Sequence, residues 1–387
     1  MYPCVSVAKL TKMIYYNLFY EYCPEILGEL YFRFGIKIIP ENRYPLDPEG
    51  IKRICIFGTS GIGNLIMLTP MIRTLKAGIP DSKITVFVLP NGAKDVLEDS
   101  PFVDQVIVLD NKSKIGEIRH DFPDLTISAT HRGFMRAKEA FRTGAFWRVG
   151  FRYDHKGKNN TGYLYTQAVP YDESKHEVEQ GLDLIHPLGY PEIRKLYMHV
   201  EESDREFADK LLFESGVKEG ETIFGIFTGL DPNNPKGRCI PIERFAGIGD
   251  RLITEYDGKV IIVGGAGETP TAEKISELMK NKPIILTGKT TLRQLASVLE
   301  KCRLFVGSDG GPMHIASAME TPVVGVFGPT DWIAHAPYGE KCLVVKSDLP
   351  CSPCHKPHEE GVKCETFDCL KAITVDMIME AVYTLMK

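Results

Sequence analysis

The stretch from Leu304 to Thr330 constrains the fold more than any other part of the chain. An apolar run is followed by an acidic, glycine-rich turn, a proline suited to the first helical position, a second apolar run and Gly-Pro-Thr. This order predicts a strand, a short helix and a second strand. Exposed amides and the dipole at such a helix start attract phosphate, and open α/β sheets bind ligands beyond the carboxyl ends of their strands. The stretch therefore predicts a nucleotide-phosphate site.

The same alternation of apolar runs, turns and helical faces occurs twice, from Arg53 to residue 128 and from Ile223 onwards. Its intervals are typical of βαβ units with a mostly parallel sheet. A length of 387 residues also favours two or three domains. We therefore expect an α/β protein with an amphipathic arm and linker at 1–50 and two Rossmann-like domains at 51–205 and 206–387. Pro70 should kink the first long helix or mark its late start.

Composition and charge exclude several classes of protein. The hydrophobic fraction of 43% and charged fraction of 25% are typical of a packed globular protein. A net charge of -5 gives no basic surplus for nucleic-acid binding. The chain does not open on a charged segment, an apolar run and a cleavage site, so we expect a cytoplasmic protein. Residues 5–39 mix aromatic and basic side chains, which suits an arm packed on the body or a patch on the inner membrane surface.

The first glycine turn, Gly58 to Asn64, follows a predicted strand and precedes a predicted helix. Its spacing is not G-x-G-x-x-G and no Lys-Ser or Lys-Thr follows it, which disfavours a dinucleotide or ATP site. The backbone amides near Gly61 and Gly63 remain candidates for contact with a ligand. The alternative is a tight turn whose glycines serve packing only.

The second turn carries the candidate donor-binding residues. Asp309 could accept hydrogen bonds from a ribose or could cap the helix, while Gly310 and Gly311 would let a ligand approach the backbone. His314 lies in the first helical turn, where it could reach a diphosphate or serve as a structural imidazole. Thr330 ends the next strand at the same sheet edge, and this convergence favours a ligand site.

Two cations follow another predicted strand end. Lys236 and Arg238 lie in the loop between Thr228 and Pro241, where a cation could neutralise a phosphate leaving group. A solvated loop is the alternative for both side chains.

Four cysteines form a C-x2-C-x9-C-x4-C pattern within a Cys-rich loop at 351–369: Cys351, Cys354, Cys364 and Cys369. Thiolates at this density suit a tetrahedral zinc site, which would be closed and structural rather than catalytic. The spacing departs from common zinc ribbons. Reduced thiols without a metal ion are therefore the alternative.

From about Arg53 to its C-terminus the chain resembles the family 9 glycosyltransferases, which include the lipopolysaccharide heptosyltransferases. Three blocks carry the resemblance: RICIFGTSGIGNLIMLTPMIRTLKAGIPDSKITVFV, LFVGSDGGPMHIASAMETPVVGVFGPTD with the following PYG, and CSPC through CLKAITVDMIMEAV. The resemblance implies a GT-B architecture of two Rossmann-like domains facing a cleft. It also implies inverting sugar transfer without an essential metal ion or other cofactor, with the donor held mainly by the second domain.

Carried onto this sequence, the resemblance assigns the donor-binding segment to Asp309, Gly311 and His314, and the Gly-Pro-Thr turn to Thr330. Lys236 or Arg238 would match the basic residue near the donor diphosphate. The loop lacks the aromatic residue that usually accompanies that cation.

Asn64 departs from the family pattern. Family members that transfer heptose commonly carry Asp at this position as the general base, and an amide has no carboxylate to accept a proton. Either another group is the base or the acceptor differs. His131, just beyond a predicted strand, is the first substitute to test, with Asp154 and Glu177 behind it.

Together these features predict a metal-independent, inverting glycosyltransferase that moves a sugar from a nucleotide diphosphate donor to a glycolipid or polysaccharide acceptor at the inner face of a membrane. Two alternatives stay open at this point. One is a nucleotide-sugar epimerase or hydrolase on the same fold. The other is a non-catalytic sugar-nucleotide or glycan-binding protein, because Asn64 removes the expected base.

Overall fold

The computed structural model describes residues 48–58, 61–90, 94–109, 123–129, 133–152, 162–229, 239–354, 364 and 366–387. Five predicted features lie outside these ranges: the arm at residues 5–39, His131, Asp154, Lys236 and Arg238. In the part of the chain that the model describes, no helix combines the length and apolarity that crossing a bilayer requires.

Six strands make up the first sheet: β1 (Arg53–Phe57), β2 (Lys83–Val88), β3 (Gln105–Val108), β4 (Leu125–Ser128), β5 (Trp147–Arg152) and β6 (Gln167–Pro170). The helices of this half are α1 (Ile62–Gly78), α2 (Lys94–Leu97), α3 (Gly133–Arg142), α4 (Glu177–Asp183) and α5 (Glu202–Glu214). Short 3-10 turns occur at Pro48–Gly50, Gly162–Leu164 and His186–Leu188. The domain boundary expected between residues 205 and 206 stays a prediction, and α5 runs across it.

The second sheet also has six strands: β7 (Ile223–Phe227), β8 (Lys259–Val263), β9 (Ile284–Ile285), β10 (Leu304–Ser308), β11 (Val323–Phe327) and β12 (Cys342–Lys346). Its helices are α6 (Ile242–Tyr256), α7 (Thr269–Leu278), α8 (Leu292–Glu300), α9 (Gly311–Ala318), α10 (Trp332–His335), α11 (Asp368–Ala372) and α12 (Val375–Leu385). One 3-10 turn lies at Ala266–Glu268.

Both sheets are parallel and follow the same strand order. The first runs β3-β2-β1-β4-β5-β6, and the second runs β12-β11-β10-β7-β8-β9. When the strands of each sheet are numbered 1 to 6 along the chain, both sheets have the doubly wound order 3-2-1-4-5-6, the second read from its β9 edge. The order in which successive strands are added to the sheet reverses between β1 and β4 and between β7 and β10. Ligands of such sheets bind beyond the carboxyl ends of the strands at this switch point. The prediction of two Rossmann-like halves in an α/β fold is confirmed.

The central strands are apolar along their whole length because helices cover both faces of each parallel sheet. Every residue of β10 is buried, as is every residue of β7 and β11. One hydrophobic cluster contains Leu65 and Ile56 of the first half together with Phe305 and Met313 of the second. The two halves therefore share part of their core.

Pro70 neither delays nor ends the first long helix. The α1 helix runs from Ile62 to Gly78 with this proline inside it. A proline has no N–H to donate to the carbonyl four residues earlier, which here belongs to Ile66. The Thr69 hydroxyl donates to that carbonyl at 2.6 Å. A neighbouring side chain thus satisfies the acceptor, and the late start expected from Pro70 was wrong.

Candidate active site

The turn after β10 lies at the switch point of the second sheet. Asp309 follows the strand and is 9% exposed, and Gly310 forms the N-cap of α9 in an extended conformation. Gly310, and not Asp309, thus occupies the N-cap position that was one interpretation of Asp309. The first amides of α9 stand at the sheet edge where an anion would be stabilised.

The two glycines of this turn are required by contacts within the protein. A Cβ atom added to Gly310 would lie 2.6 Å from Cε1 of Phe227, at the end of β7. One added to Gly311 would lie 3.3 Å from Cβ of Ile62, at the start of α1. Because the turn packs this closely, larger residues would displace it. Direct contact of these glycines with a ligand stays a prediction.

His314 is buried in the first turns of α9, with 3% of its surface exposed. Its Nδ1 atom is buried and has no hydrogen-bond partner among the described residues. The pKa of His314 is lowered to about 3. Burial is the largest cause, the nearby His176 and His335 act in the same direction, and Glu177 opposes the shift. The side chain is therefore a neutral imidazole. A buried ring nitrogen without a partner is costly, so this site suits a bound ligand or an ordered water.

Buried polar atoms without partners also lie at both switch points. The hydroxyl of Ser128 ends β4 and that of Ser308 ends β10, and neither has a hydrogen-bond partner in the described part of the chain. Both side chains are almost completely buried, at 1% and 0% exposed. Each crevice thus offers a hydroxyl to a ligand or to water.

The candidate acceptor turn directly contacts the candidate donor turn after β10. Gly61 is the N-cap of α1, and Asn64 lies half-buried in the first turn of that helix. A Cβ atom added to Gly63 would overlap the ring of His314, whose Nε2 atom would lie 3.1 Å away. The structure therefore brings together Asn64, Gly63, Asp309 and His314, which the sequence places about 250 residues apart.

Replacing Gly63 by alanine should destabilise the protein by about 1–3 kcal/mol, because its methyl group must displace the buried His314 ring. Gly181 is the matched control, since it also lies in a buried helix. A Cβ atom there would make ordinary contacts, at 3.7 Å from Leu68 Cδ1. Gly181→Ala should stabilise the protein by about 0.5–1 kcal/mol. Urea denaturation measures both changes, and equal effects in the two variants would contradict the close approach at Gly63.

Thr330, in the Gly-Pro-Thr turn after β11, is 5% exposed. Two residues of the Cys-rich loop donate hydrogen bonds to this turn. The Cys354 N–H donates to the carbonyl of Pro329 at 3.0 Å, and the Ser352 hydroxyl donates to the carbonyl of Gly328 at 2.7 Å. The first cysteine pair is thereby connected to the donor side of the site.

The four cysteines differ in exposure: Cys351 is exposed, Cys354 and Cys364 are half-buried, and Cys369 is buried. The Phe367 N–H donates to the sulfur of Cys364 at 3.3 Å. Among the described residues, no group of three or more His, Cys, Asp or Glu side chains could hold a metal ion. The zinc site therefore stays a prediction.

The sequence did not predict the contacts between the start of α4 and the segment from α10 to Tyr338, a region that we call the corner. The His176 Nδ1 atom accepts the Val178 N–H at 3.1 Å, so Nε2 carries the proton and donates to the carbonyl of Ala336 at 2.9 Å. The Tyr338 hydroxyl donates to Glu179 Oε1 at 2.5 Å, and its ring lies 4.9 Å from the His176 ring. In the sequence, Tyr338 was noted only within the PYG that follows the Gly-Pro-Thr turn, and its contact with Glu179 could not be predicted. These contacts join α4 to the segment after α10.

Two parallel, doubly wound six-stranded sheets that share part of their core are the GT-B architecture that the sequence predicted. More particularly, the chain belongs to glycosyltransferase family 9 (heptosyltransferase), whose model matches residues 130–363. The enzyme class and the family that the sequence predicted are both confirmed.

Named relatives agree with this assignment. Lipopolysaccharide heptosyltransferase 3 of Escherichia coli K12 is 27% identical over 300 residues, which cover 73% of this chain and 84% of the relative. A family 9 glycosyltransferase structure from Veillonella parvula has a TM-score of 0.72 at 23% identity and covers 89% of this chain and 99% of that one. The E. coli ADP-heptose LPS heptosyltransferase II structure has a TM-score of 0.68 at 20% identity, with coverages of 86% and 98%. The two structures support the fold.

Proposed function

We propose that this chain is an inverting glycosyltransferase that moves heptose or a related sugar from a nucleotide diphosphate donor to a glycolipid or polysaccharide acceptor. The observation that carries this proposal is the turn after β10, where Asp309 and His314 are buried beside the start of α9 at the switch point of the second sheet. ADP-heptose is the first donor to test, because a structural neighbour is described as an ADP-heptose enzyme. A lipopolysaccharide precursor is the first acceptor, because the E. coli relative is a lipopolysaccharide heptosyltransferase.

The chemistry requires stabilisation of the departing diphosphate. The amides at the start of α9 would supply it, and Lys236 or Arg238, outside the described residues, would add positive charge. The acceptor hydroxyl would attack the anomeric carbon from the opposite side, near Asn64 and the start of α1. Attack on the face opposite the leaving group inverts the configuration. Enclosure between the two halves would exclude water, whose attack would hydrolyse the donor.

Donor binding should stabilise the protein. At about 100 times its dissociation constant, a donor adds roughly 2.7 kcal/mol to the free energy of unfolding. A thermal-shift screen of nucleotide sugars, with ADP-heptose first, measures this gain. Turnover with a lipopolysaccharide precursor then tests transfer, whereas free sugar released without acceptor would indicate a hydrolase. If no nucleotide sugar or nucleoside diphosphate raised the melting temperature, the proposed function would be wrong.

An Asp309→Asn variant belongs to the same experiment. Loss of a hydrogen bond to a charged group costs about 1.5–3 kcal/mol, so donor affinity should fall about 10- to 150-fold. Asp348→Asn is the matched control, because the Asp348 side chain is 99% exposed in the same half of the protein. Donor affinity should not change in that variant. Full donor affinity in Asp309→Asn would remove Asp309 from the donor site.

Three further parts of the prediction remain proposals. Transfer should need no metal ion, which unchanged turnover in the presence of EDTA tests. A structural zinc at Cys351, Cys354, Cys364 and Cys369 is tested by the zinc content of the purified protein. Contact of residues 5–39 with the inner membrane surface is tested by binding of the full chain to anionic vesicles.

A further inference from the structure

The helices α1 and α4 lie side by side and run in the same direction. A Cβ atom added to Gly181 of α4 would lie 3.7 Å from Leu68 Cδ1, so this glycine packs on the second turn of α1. Further along the chain, the Tyr190 ring covers Gly78 at the end of α1, where an added Cβ would lie 2.6 Å from Tyr190 Cδ1. Between Gly181 and Tyr190 the chain thus advances from the second turn of α1 to its last residue, before it turns back past Thr74 and Thr69. The first turns of α1 and α4 therefore lie at the same end.

Glu177 begins α4 and so lies at the Asn64 end of α1. Its side chain is 12% exposed, and its Oε1 atom is 3.7 Å from Nε2 of His335. Glu177 also lies within electrostatic reach of His314. Since His314 packs against Gly63, the residue before Asn64, the Glu177 carboxylate faces the same corner as Asn64.

His335 lies beside Glu177. Its Nδ1 atom lies 3.1 Å from the carbonyl of Asp331. A carbonyl only accepts hydrogen bonds, so Nδ1 donates to it. The Nε2 atom is then the ring nitrogen that faces the Glu177 carboxylate.

Two buried polar atoms without partners suit a ligand in this corner. His314 is 3% exposed and its Nδ1 atom has no hydrogen-bond partner among the described residues. The Nε1 atom of Trp332, at the start of α10, is also buried without a partner in the same part of the chain. Polar atoms buried in this way suit contact with a substrate or an ordered water.

We propose that Glu177 is the general base for the acceptor hydroxyl, in place of the carboxylate that Asn64 lacks. This assignment rests on the proposed glycosyl transfer. As the acceptor oxygen forms its bond to the anomeric carbon, the hydroxyl proton passes to the Glu177 carboxylate. The bond between the anomeric carbon and the diphosphate oxygen breaks, and the nucleoside diphosphate leaves with that electron pair.

Glu177→Gln tests the proposal because the amide keeps the size of the side chain and removes its basic oxygen. Positioned bases contribute about 10²- to 10⁴-fold to rate, so kcat should fall by that factor while donor affinity stays within twofold of wild type. Glu173→Gln is the matched control, since Glu173 is an exposed carboxylate four residues earlier. It should keep the wild-type kcat.

The pH dependence of kcat/KM separates a base from a structural role. The rate should rise with pH as Glu177 loses its proton, and Glu177→Gln should lose this acid limb. Among the described residues, titratable groups that face Glu177 include His176 at the start of α4, Tyr171 before it, His314 on α9 and His335 on α10. All four remain in the variant, so an acid limb that they caused would persist in Glu177→Gln and overturn the proposal.

A double variant tests the location of the base. Adding Asn64→Asp to Glu177→Gln returns a carboxylate to the corner, and kcat should recover at least tenfold. A double variant no faster than Glu177→Gln would overturn the assignment, as would a Glu177→Gln variant within threefold of the wild-type kcat. A wild-type protein without turnover for any donor and acceptor would instead overturn the proposed function. Thermal melting of each variant confirms that it is folded.

Discussion

Phe305→Ala should lower the free energy of unfolding by about 3–5 kcal/mol, the range for removing a fully buried phenylalanine. Phe305 lies in β10, the strand that carries the donor turn, and is 0% exposed. Its ring fills the space above two glycines. Added Cβ atoms on Gly225 of β7 and Gly307 of β10 would lie 2.7 Å and 2.6 Å from the ring. Because neither glycine has a side chain that could fill the cavity, we expect little relaxation and a cost near the upper end of the range.

Urea denaturation measures this loss, with Phe213→Ala as the control. Phe213 lies on α5 and is 76% exposed, so its removal should change the free energy of unfolding by less than about 0.5 kcal/mol. A loss below 1 kcal/mol for Phe305→Ala would show that the ring is not the packing element between β7 and β10. Because stabilities are typically about 5–15 kcal/mol, the expected loss is large enough to lower the yield of folded protein.

The central strands of both sheets could be predicted from the sequence because strands covered on both faces appear as continuous apolar runs. The β5 strand was missed because its sequence, WRVGFR, contains two arginines. Arg148 is only 7% exposed within this strand. Its Nε atom donates to the carbonyl of Leu164 at 3.0 Å, and its guanidinium lies 5.2 Å from the centre of the Phe141 ring. Tertiary partners make this burial possible, and a single-sequence pattern does not contain them.

Two of the four edge strands, β6 and β12, were missed for a different reason. The β6 strand has four residues and ends in Pro170, and β12 is only half-buried along most of its length. Edge strands pair on one side and need less apolar sequence, so their pattern resembles that of a loop.

The donor turn was predictable because its residues are contiguous in sequence and glycine and proline impose local geometry. The corner that surrounds Glu177 was not, because it depends on long-range contacts. His176 and Ala336 are 160 positions apart, and Tyr338 and Glu179 are 159 apart. These pairs meet only after both sheets have formed and packed together. Glu177 was therefore one of several candidate bases in the sequence, while the structure places it beside His335.

His314 should make stability depend on pH between about 3 and 6.5. Its pKa is about 3 in the folded protein against an ordinary value of 6.5, mainly because burial disfavours the charged ring. Above pH 6.5 the ring is neutral in both states, so its full contribution is present. As pH falls below 6.5, only the unfolded chain gains a proton, and folding loses stability. The loss should be about 2 kcal/mol at pH 5 relative to pH 7.5.

A His314→Gln variant isolates the contribution of His314 to the pH dependence of stability, because glutamine does not titrate and the other ionisable groups remain. The free energy of unfolding from urea denaturation is measured at pH 7.5 and pH 5 for both proteins. From pH 7.5 to pH 5 the free energy of unfolding should fall by about 2 kcal/mol more in the wild type than in the variant. This difference does not depend on how stable the variant is at pH 7.5. Equal pH dependence in the two proteins would mean that His314 is protonated or solvated in the folded state. The tight contact of α1 with α9, which buries the ring, would then be wrong, and so would the neutral His314 on which the corner beside Glu177 depends.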